Sequence, residues 1–182
     1  RSELGYKNLM KLMTVFYFTN TPISNKQYIT LRDLETYHKD LILLSGGALG
    51  PIGKLLVNGH KDIANNTLNN LYNIFKNNLY IEISRCNEPF ERITEEFFVN
   101  YAIDCNISIV ATNEVFFLDK SMHTAQDALL CIANSTYLSV ENRRKISQEH
   151  YLKSSNEMYE LFSDIPEAVQ IEIGRASCRE RV

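Results

Sequence analysis

The feature that most constrains the fold is an alternation of short apolar runs with longer amphipathic stretches. The apolar runs are LILLS (Leu41–Ser45), LYIEIS (Leu79–Ser84) and ISIVATN (Ile107–Asn113), and each has the length of a strand. After each run, apolar residues recur every three or four positions, as they do on one face of a helix. This order is typical of parallel sheets and β/α barrels. The sequence therefore predicts an α/β fold with parallel strands and flanking helices.

The predicted helices are placed by their apolar faces and their capping residues. They cover Leu4–Phe18, Leu31–Tyr37, His60–Lys76, Phe90–Asp104 and Thr124–Ala133. The expected inward residues are Leu9, Leu12, Met13 and Phe16 in the first helix, Leu68, Leu71, Tyr72 and Phe75 in the third, and Ala125, Ala128, Leu129 and Ile132 in the last. Thr30 is a predicted N-cap, and Ser154 with Glu157 forms a capping-box pattern before a further apolar stretch. Polar residues around Pro22 predict a loop over residues 19–27.

Length and composition favour a single globular domain. The chain has 182 residues, of which 45% are hydrophobic and 23% are charged. Its net charge of -3 gives no support for a basic nucleic-acid-binding face. No apolar run has the length of a membrane span, and the four cysteines include no Cys-x-x-Cys pair. This cysteine pattern predicts a reducing compartment without structural disulfides.

Candidate chemistry follows from the ends of the predicted strands, because functional residues of parallel α/β folds gather at the carboxyl ends. These ends are Ser45–Gly47, Ser84–Cys86 and Thr112–Glu114. Glu114 is a candidate metal ligand or catalytic acid, and the alternative is a polar residue that closes a strand. Cys86 is a candidate metal ligand or nucleophile, and the alternative is an inert thiol. The four histidines form no His-x-His or His-x-x-x-His pair, which leaves the partners of such a site undefined.

Three other features have a functional and a plainer interpretation. The glycine-rich stretch SGGALGPIG either binds a phosphate or allows a tight turn with close helix packing, and the second is favoured because it lacks the known phosphate-loop spacing. His123 either approaches the strand ends or is a solvated or helix-capping residue, and the second is again favoured. The basic residues Arg143, Arg144 and Lys145 predict a solvated charged loop, since three cations alone do not establish phosphate contact.

The last residues differ in composition from the rest of the chain. The segment EIGRASCRERV (Glu172–Val182) has no Asn or Lys, although both are abundant in the preceding sequence. It resembles the in-frame translation of a common sequencing adapter. We therefore expect residues 171–182 to be a non-native tail and exclude them from functional interpretation. The start RSELGYKNL has no Met, so the chain is expected to be a fragment.

Several motifs in order resemble one known family. They are LGYKNLMKL, LILLSGGALGPIG, LYIEISR, IVATNEVFFL, AQDALLCIA and YLKSSNEMYELFSDIPEAV. This set is similar to the amino-terminal PHP (polymerase and histidinol phosphatase) domain of bacterial replicative DNA polymerase III alpha subunits. The resemblance covers essentially residues 4–170 and implies a partial, distorted β/α barrel over residues 1–170, leading toward the polymerase palm.

The resemblance also implies a parent function in bacterial chromosome replication. A full-length parent would be a cytoplasmic DNA-directed DNA polymerase that uses Mg²⁺ and primer-template DNA. Its expected partners are the sliding clamp and a proofreading exonuclease. The catalytic carboxylates of the polymerase would lie beyond Gln170, so no catalytic residue is assigned within this chain. We expect the fragment alone to be inactive as a polymerase.

Comparison with the family motif predicts a degenerate metal site. Metal-binding members usually have Asp at the position of Glu114, and His at the positions of Phe116, Cys86 and Gln126. Glu114 and Cys86 keep groups that can bind Zn²⁺ or Mn²⁺, whereas Phe116 cannot coordinate a metal. The leading hypothesis is a structural and partner-docking PHP domain. The alternative is an active metal-dependent phosphoesterase or 3′–5′ exonuclease that uses Glu114, Cys86 and histidines upstream of Arg1.

Overall fold

The computed structural model describes residues 2–18 and 27–170. Within them the α-helices are α1 (Glu3–Phe18), α2 (Leu31–Tyr37), α3 (Pro51–Val57), α4 (Lys61–Phe75), α5 (Pro89–Cys105), α6 (His123–Ala133) and α7 (Ser155–Leu161). The strands are β1 (Leu43–Leu44), β2 (Leu79–Ser84) and β3 (Ile109–Thr112). The predicted loop over residues 19–27 falls almost entirely outside the described residues, and the predicted tail does so completely.

The strands form one sheet in the order β1-β2-β3. Strand β1 is parallel to β2, with Leu43 opposite Leu79 and Leu44 opposite Tyr80. The predicted α/β class with parallel strands and flanking helices is therefore confirmed. The prediction for β1 was wrong in extent, because regular pairing is confined to two residues and Leu44 is exposed. Ile42 and Leu44 alternate along this run and are both exposed, so one face of it remains uncovered.

The described chain divides into two compact units, Arg1–Ile81 and Glu82–Val182. In the first unit, α4 supplies the largest apolar face, with Ala64, Leu68, Leu71 and Phe75 all buried, close to the predicted face. The inward face predicted for α1 was wrong in part: Leu12 is buried as predicted, but Leu9 and Met13 are exposed, and the other buried residues are Gly5 and Asn8. Asn8 is inward because its amide donates a hydrogen bond to the Lys39 carbonyl, at 3.0 Å.

The glycine-rich stretch after β1 forms a tight turn into α3, a helix that the apolar pattern did not predict. Gly46 and Gly47 adopt positive φ angles of 84° and 55°, which strain most other residues. A Cβ atom on Gly53 would lie 2.2 Å from the Ala48 carbonyl oxygen. These glycines therefore serve the turn and the close packing of α3, which agrees with the plainer of the two interpretations.

In the second unit, α5 and α7 contribute most of the helical core. Phe98, Tyr101 and Ala102 of α5 are buried, as are Met158 of α7 and Phe162 just after it. Helix α7 begins with the predicted capping box, in which the Ser154 side chain accepts a hydrogen bond from the Glu157 amide. Thr30 and Asp33 form the equivalent box at α2 in the first unit. Both capping predictions are confirmed.

The inward face predicted for α6 was wrong. Leu129 and Ile132 are 58% and 74% exposed, and Cys131 is the residue of this helix that is buried. The apolar pattern locates the helix correctly but does not determine which side meets the core. Among the described residues, no helix is long and apolar enough to cross a membrane.

Candidate functional site

The carboxyl ends of β2 and β3 meet through Cys86 and Asn113. The Cys86 side chain is 1% exposed, and its sulfur lies 3.8 Å from the Asn113 side-chain oxygen. The Cys86 amide donates to both carboxylate oxygens of buried Glu91, each at 2.9 Å, so the chain turns into α5 on a fixed path. The Cys86 carbonyl accepts a hydrogen bond from the Ser147 hydroxyl. Cys86 is thus enclosed by protein groups.

The backbone of His150 and Tyr151 pairs with the segment that follows β3. Phe117 and Tyr151 form a parallel bridge, and the Phe116 amide donates to the His150 carbonyl at 2.9 Å. The same pairing places His150 and Lys153 at the end of β3. We call Cys86, Asn113, Glu114, His150 and Lys153 the strand-end cluster.

Lys153 brings a positive charge into the strand-end cluster. Its side chain is 3% exposed, and its ammonium donates to the Asn113 side-chain oxygen at 3.2 Å and to the Glu149 carbonyl. The ammonium also lies 4.5 Å from the centre of the Tyr151 ring. A buried ammonium needs such acceptors, because it loses its hydration on folding. Asn113 is therefore held between a thiol and a cation.

The backbone carbonyl of Glu114 lies closer to His150 than its carboxylate does. The His150 Nδ1 atom donates to the Glu114 carbonyl at 2.9 Å, whereas it lies 3.9 Å from the nearest carboxylate oxygen. The Glu114 side chain is 46% exposed. The other ring nitrogen of His150, Nε2, lies 3.4 Å from the Glu88 carboxylate. Both ring nitrogens thus face oxygen atoms, an arrangement that suits the protonated imidazole.

The environment of His150 also favours the charged ring. Burial by itself lowers the pKa of His150, but interactions with the Cys86 side chain and the Glu114 carbonyl outweigh it and raise the pKa to about 9. A metal ion at this nitrogen would first have to displace the bound proton. The ring therefore acts as a hydrogen-bond donor to the surrounding backbone and carboxylate.

A metal site needs several ligand side chains that converge on one point. Among residues 2–18 and 27–170, no group of three or more His, Cys, Asp or Glu side chains is placed to hold a metal ion. Phe116, where the resemblance predicts a His in metal-binding members, packs its ring 5.1 Å from that of His150. The described residues by themselves therefore do not fit a complete metal site, and Glu114 and Cys86 remain predicted ligands.

Two plainer interpretations from the sequence need correction. His123 begins α6 as expected but is only partly solvated, because its Nε2 atom lies 2.9 Å from the Ile146 carbonyl and its ring packs against Phe117. Arg143 is the exception in the predicted solvated loop, because its side chain is 7% exposed and forms a two-pronged ion pair with Asp127. Arg143 is therefore not available for phosphate contact, whereas Arg144 and Lys145 are exposed.

Sequence reasoning missed His150 and Lys153 as members of the cluster. They lie 36 and 40 residues from their partners Glu114 and Asn113. No spacing rule connects residues so far apart, and each reads locally as an ordinary polar residue before α7. The motif YLKSSNEMYELFSDIPEAV was the available signal, but it does not assign a contact to any one side chain.

The chain is similar to known proteins over most of its length. A family model described as the PHP domain matches residues 1–86. The chain is also 40% identical over 93% of its length to the DNA polymerase III subunit alpha of Rickettsia bellii. The corresponding identities are 33% for the Caulobacter vibrioides subunit and 34% for that of Borreliella burgdorferi, over 92% and 93% of this chain.

The chain matches only a small part of these relatives. It spans 14% of the Rickettsia bellii subunit and 15% of the other two. The family match ends at residue 86, within the strand-end cluster, whereas the similarity to the alpha subunits continues over nearly the whole chain. The resemblance seen in the motifs is thus confirmed, and the extent of the PHP domain to residue 170 stays a prediction.

Proposed function

We propose that this chain is the PHP portion of a bacterial replicative DNA polymerase alpha subunit and that its role there is structural. The similarity to alpha subunits over more than nine-tenths of the chain is the observation that carries the proposal. In the full-length parent, nucleotidyl transfer to a primer end would depend on carboxylates and Mg²⁺ outside this chain. The PHP portion would stabilise the polymerase and dock partner subunits such as the clamp or a proofreading exonuclease.

The contacts of the strand-end cluster support the structural role. Asn113 is bound by Lys153 and Tyr151, and His150 is bound by the Glu114 carbonyl and Glu88. These polar groups are paired with one another, which is how a buried polar cluster stabilises a fold without a ligand. Replacement of the family's imidazole by Phe116 removes a metal donor from the same place. We infer that the metal site of the family is degenerate in this chain.

Metal analysis of the full-length parent tests this function. After gel filtration without added metal, we expect less than one tightly bound Zn²⁺ or Mn²⁺ per protein. The variant Phe116→His restores the missing donor and serves as the comparison, with a higher metal content expected if an upstream His-x-His motif is present. Three tightly bound ions in the unsubstituted protein would contradict the degenerate site and favour the alternative.

The alternative is a metal-dependent phosphoesterase or 3′–5′ exonuclease. One observation favours it, since the His150 ring approaches the Glu114 carboxylate to 3.9 Å and also interacts with Cys86. An active site of this kind requires metal-dependent release of nucleotides from a DNA 3′ end. If this release is abolished by Glu114→Gln and Cys86→Ser in the full-length protein, the alternative replaces the structural proposal.

A further inference from the structure

Helix α6 carries an apolar stripe on its outer side. The stripe is formed by Ala125, Leu129 and Ile132 of the helix and by Met122 at its N-cap. These residues are three, four and three positions apart in chain order, and all are exposed. The two largest apolar exposures in this stripe are those of Leu129 and Ile132, at 58% and 74%. We call these four residues the outer α6 face. Its pattern is that of a helix that buries one side, yet that side is uncovered in the described structure.

The outer α6 face lies on an ordered platform. Within the second unit, Asp127 of α6 accepts hydrogen bonds from both terminal nitrogens of Arg143, and the Arg143 side chain is nearly fully buried. The Thr136 amide donates to the Cys131 carbonyl at 2.9 Å, which anchors the segment after α6 to the last helical turn. This anchored segment exposes two more apolar side chains, those of Tyr137 and Leu138. A surface fixed in advance loses little conformational entropy on binding.

The chemistry of the face specifies an apolar helical partner. Asp127 is the only charged residue of the α6 sequence HTAQDALLCIA, and it is paired with Arg143. The face therefore has no unpaired charge of its own with which to attract a charged ligand. A spacing of three and four residues matches the ridges that a second helix packs between. The expected contact is thus one helix against another through aliphatic side chains.

We propose that the outer α6 face packs against an apolar helix that lies elsewhere in the same, longer alpha-subunit polypeptide. This inference rests on the proposed function. It is supported by the relatives, in which the matched region makes up only 14–15% of the polypeptide. A helix in the same polypeptide is present at high effective concentration, so a modest apolar face is sufficient to hold it. If a second copy or a separate subunit covered the face instead, its contacts would have to offset the entropy lost when two molecules associate.

Cysteine labelling of the full-length alpha subunit tests the proposal. Leu129→Cys and Ile132→Cys report on the face, and Ile103→Cys is the matched control because Ile103 is 70% exposed on α5. The rate of maleimide labelling is measured by mass spectrometry of the peptide that carries the introduced cysteine. This distinguishes its labelling from that of the native cysteines. We expect the two α6 positions to react at least about tenfold more slowly than the control, and at the same rate over a hundredfold dilution.

Three outcomes would overturn the proposal. Labelling as fast as at Ile103→Cys means that the face is open in the full-length subunit. Protection that is lost on dilution assigns the face to a second copy, and protection that appears only after purified replicase subunits are added assigns it to a separate chain. Primer extension by the same preparations is measured in parallel. Its absence from the unsubstituted protein contradicts the proposed polymerase function, whichever labelling pattern is found.

Discussion

Arg85 joins three segments of the second unit through one side chain. Its guanidinium donates to both oxygens of Asp164, at 2.6 and 2.7 Å, to the Glu95 carboxylate, and to the Leu161 carbonyl at 2.7 Å. It also stacks 4.7 Å from the centre of the Phe162 ring. The hydrogen bond with Asp164 is the main cause of the raised pKa of Arg85. The end of β2, helix α5 and the end of α7 are therefore linked at a single residue.

We expect Arg85→Met to lower the free energy of unfolding of the chain by about 2 kcal/mol. The loss is kept moderate because the Asp164 side chain is 58% exposed and is solvated once its partner is removed. Arg85→Lys should recover only part of it, since an ammonium cannot make the paired contacts of a guanidinium. Urea denaturation measures both variants. Arg92→Met, on the exposed side of α5, is the control, and an equal loss there would contradict the argument.

At the scale of the element, α7 is stabilised by a capping box that has an extra member. The Glu157 carboxylate accepts hydrogen bonds from the Ser154 amide at 2.8 Å and the Ser154 hydroxyl at 2.7 Å. It also accepts one from the Tyr151 hydroxyl at 2.6 Å. The Tyr151 bond, followed by those of Ser154, lowers the pKa of Glu157 to about 2. Tyr151 thus connects the helix start to the strand-end cluster.

This lowered pKa predicts a loss of stability in acid. A carboxyl group whose pKa is lower in the folded state stabilises that state above its ordinary pKa of 4.5, and the contribution disappears as the pH falls through about 2. Tyr151→Phe removes the largest cause of the shift. We therefore expect thermal unfolding midpoints of Tyr151→Phe and the unsubstituted chain to differ at pH 6 and to converge toward pH 2. A constant difference across this range would show that Glu157 is not responsible.

Helices α4 and α6 show that sequence periodicity predicts where a helix forms but not always which side of it is buried. In α4 the predicted apolar residues Leu68, Leu71 and Phe75 are buried, because the face is wide and continuous. In α6 the same kind of pattern identified the helix but misplaced its core side, since the buried residue is Cys131. Periodicity reports that one side of a helix is apolar. It does not report whether that side is covered by the same chain.

At the scale of the whole molecule, the cysteines offer a test of the fold. Cys86, Cys105 and Cys131 are free, and the first and last of these are buried while Cys105 is partly exposed. We expect native alkylation to modify Cys105 first, with Cys86 and Cys131 protected until the chain unfolds in urea. Peptide mass spectrometry measures the order. Modification of Cys86 at the rate of Cys105 would contradict the enclosed strand-end cluster.

The candidate site was predicted in part. Glu114 and Cys86 were located at strand ends by local pattern, and the structure brings their neighbourhoods together through Asn113 and His150. The positions of His150 and Lys153 in this site were not predicted. A lysine or histidine in a sequence is usually solvated, and its burial depends on acceptors that other segments supply. The Asn113 oxygen and the Glu114 carbonyl are such acceptors, and the pairing of Phe117 with Tyr151 places them within reach.

The sequence by itself determined the alternation of strands and helices, the Thr30 N-cap, the Ser154–Glu157 capping box and the resemblance to the PHP domain. These are local properties, set by side-chain periodicity and by hydrogen bonds over three or four residues. Only the tertiary structure decided that α6 turns its apolar stripe outward and that Lys153 meets Asn113. Such contacts depend on segments far apart in the chain. Their free energy is therefore a property of the assembled fold, which local sequence patterns do not encode.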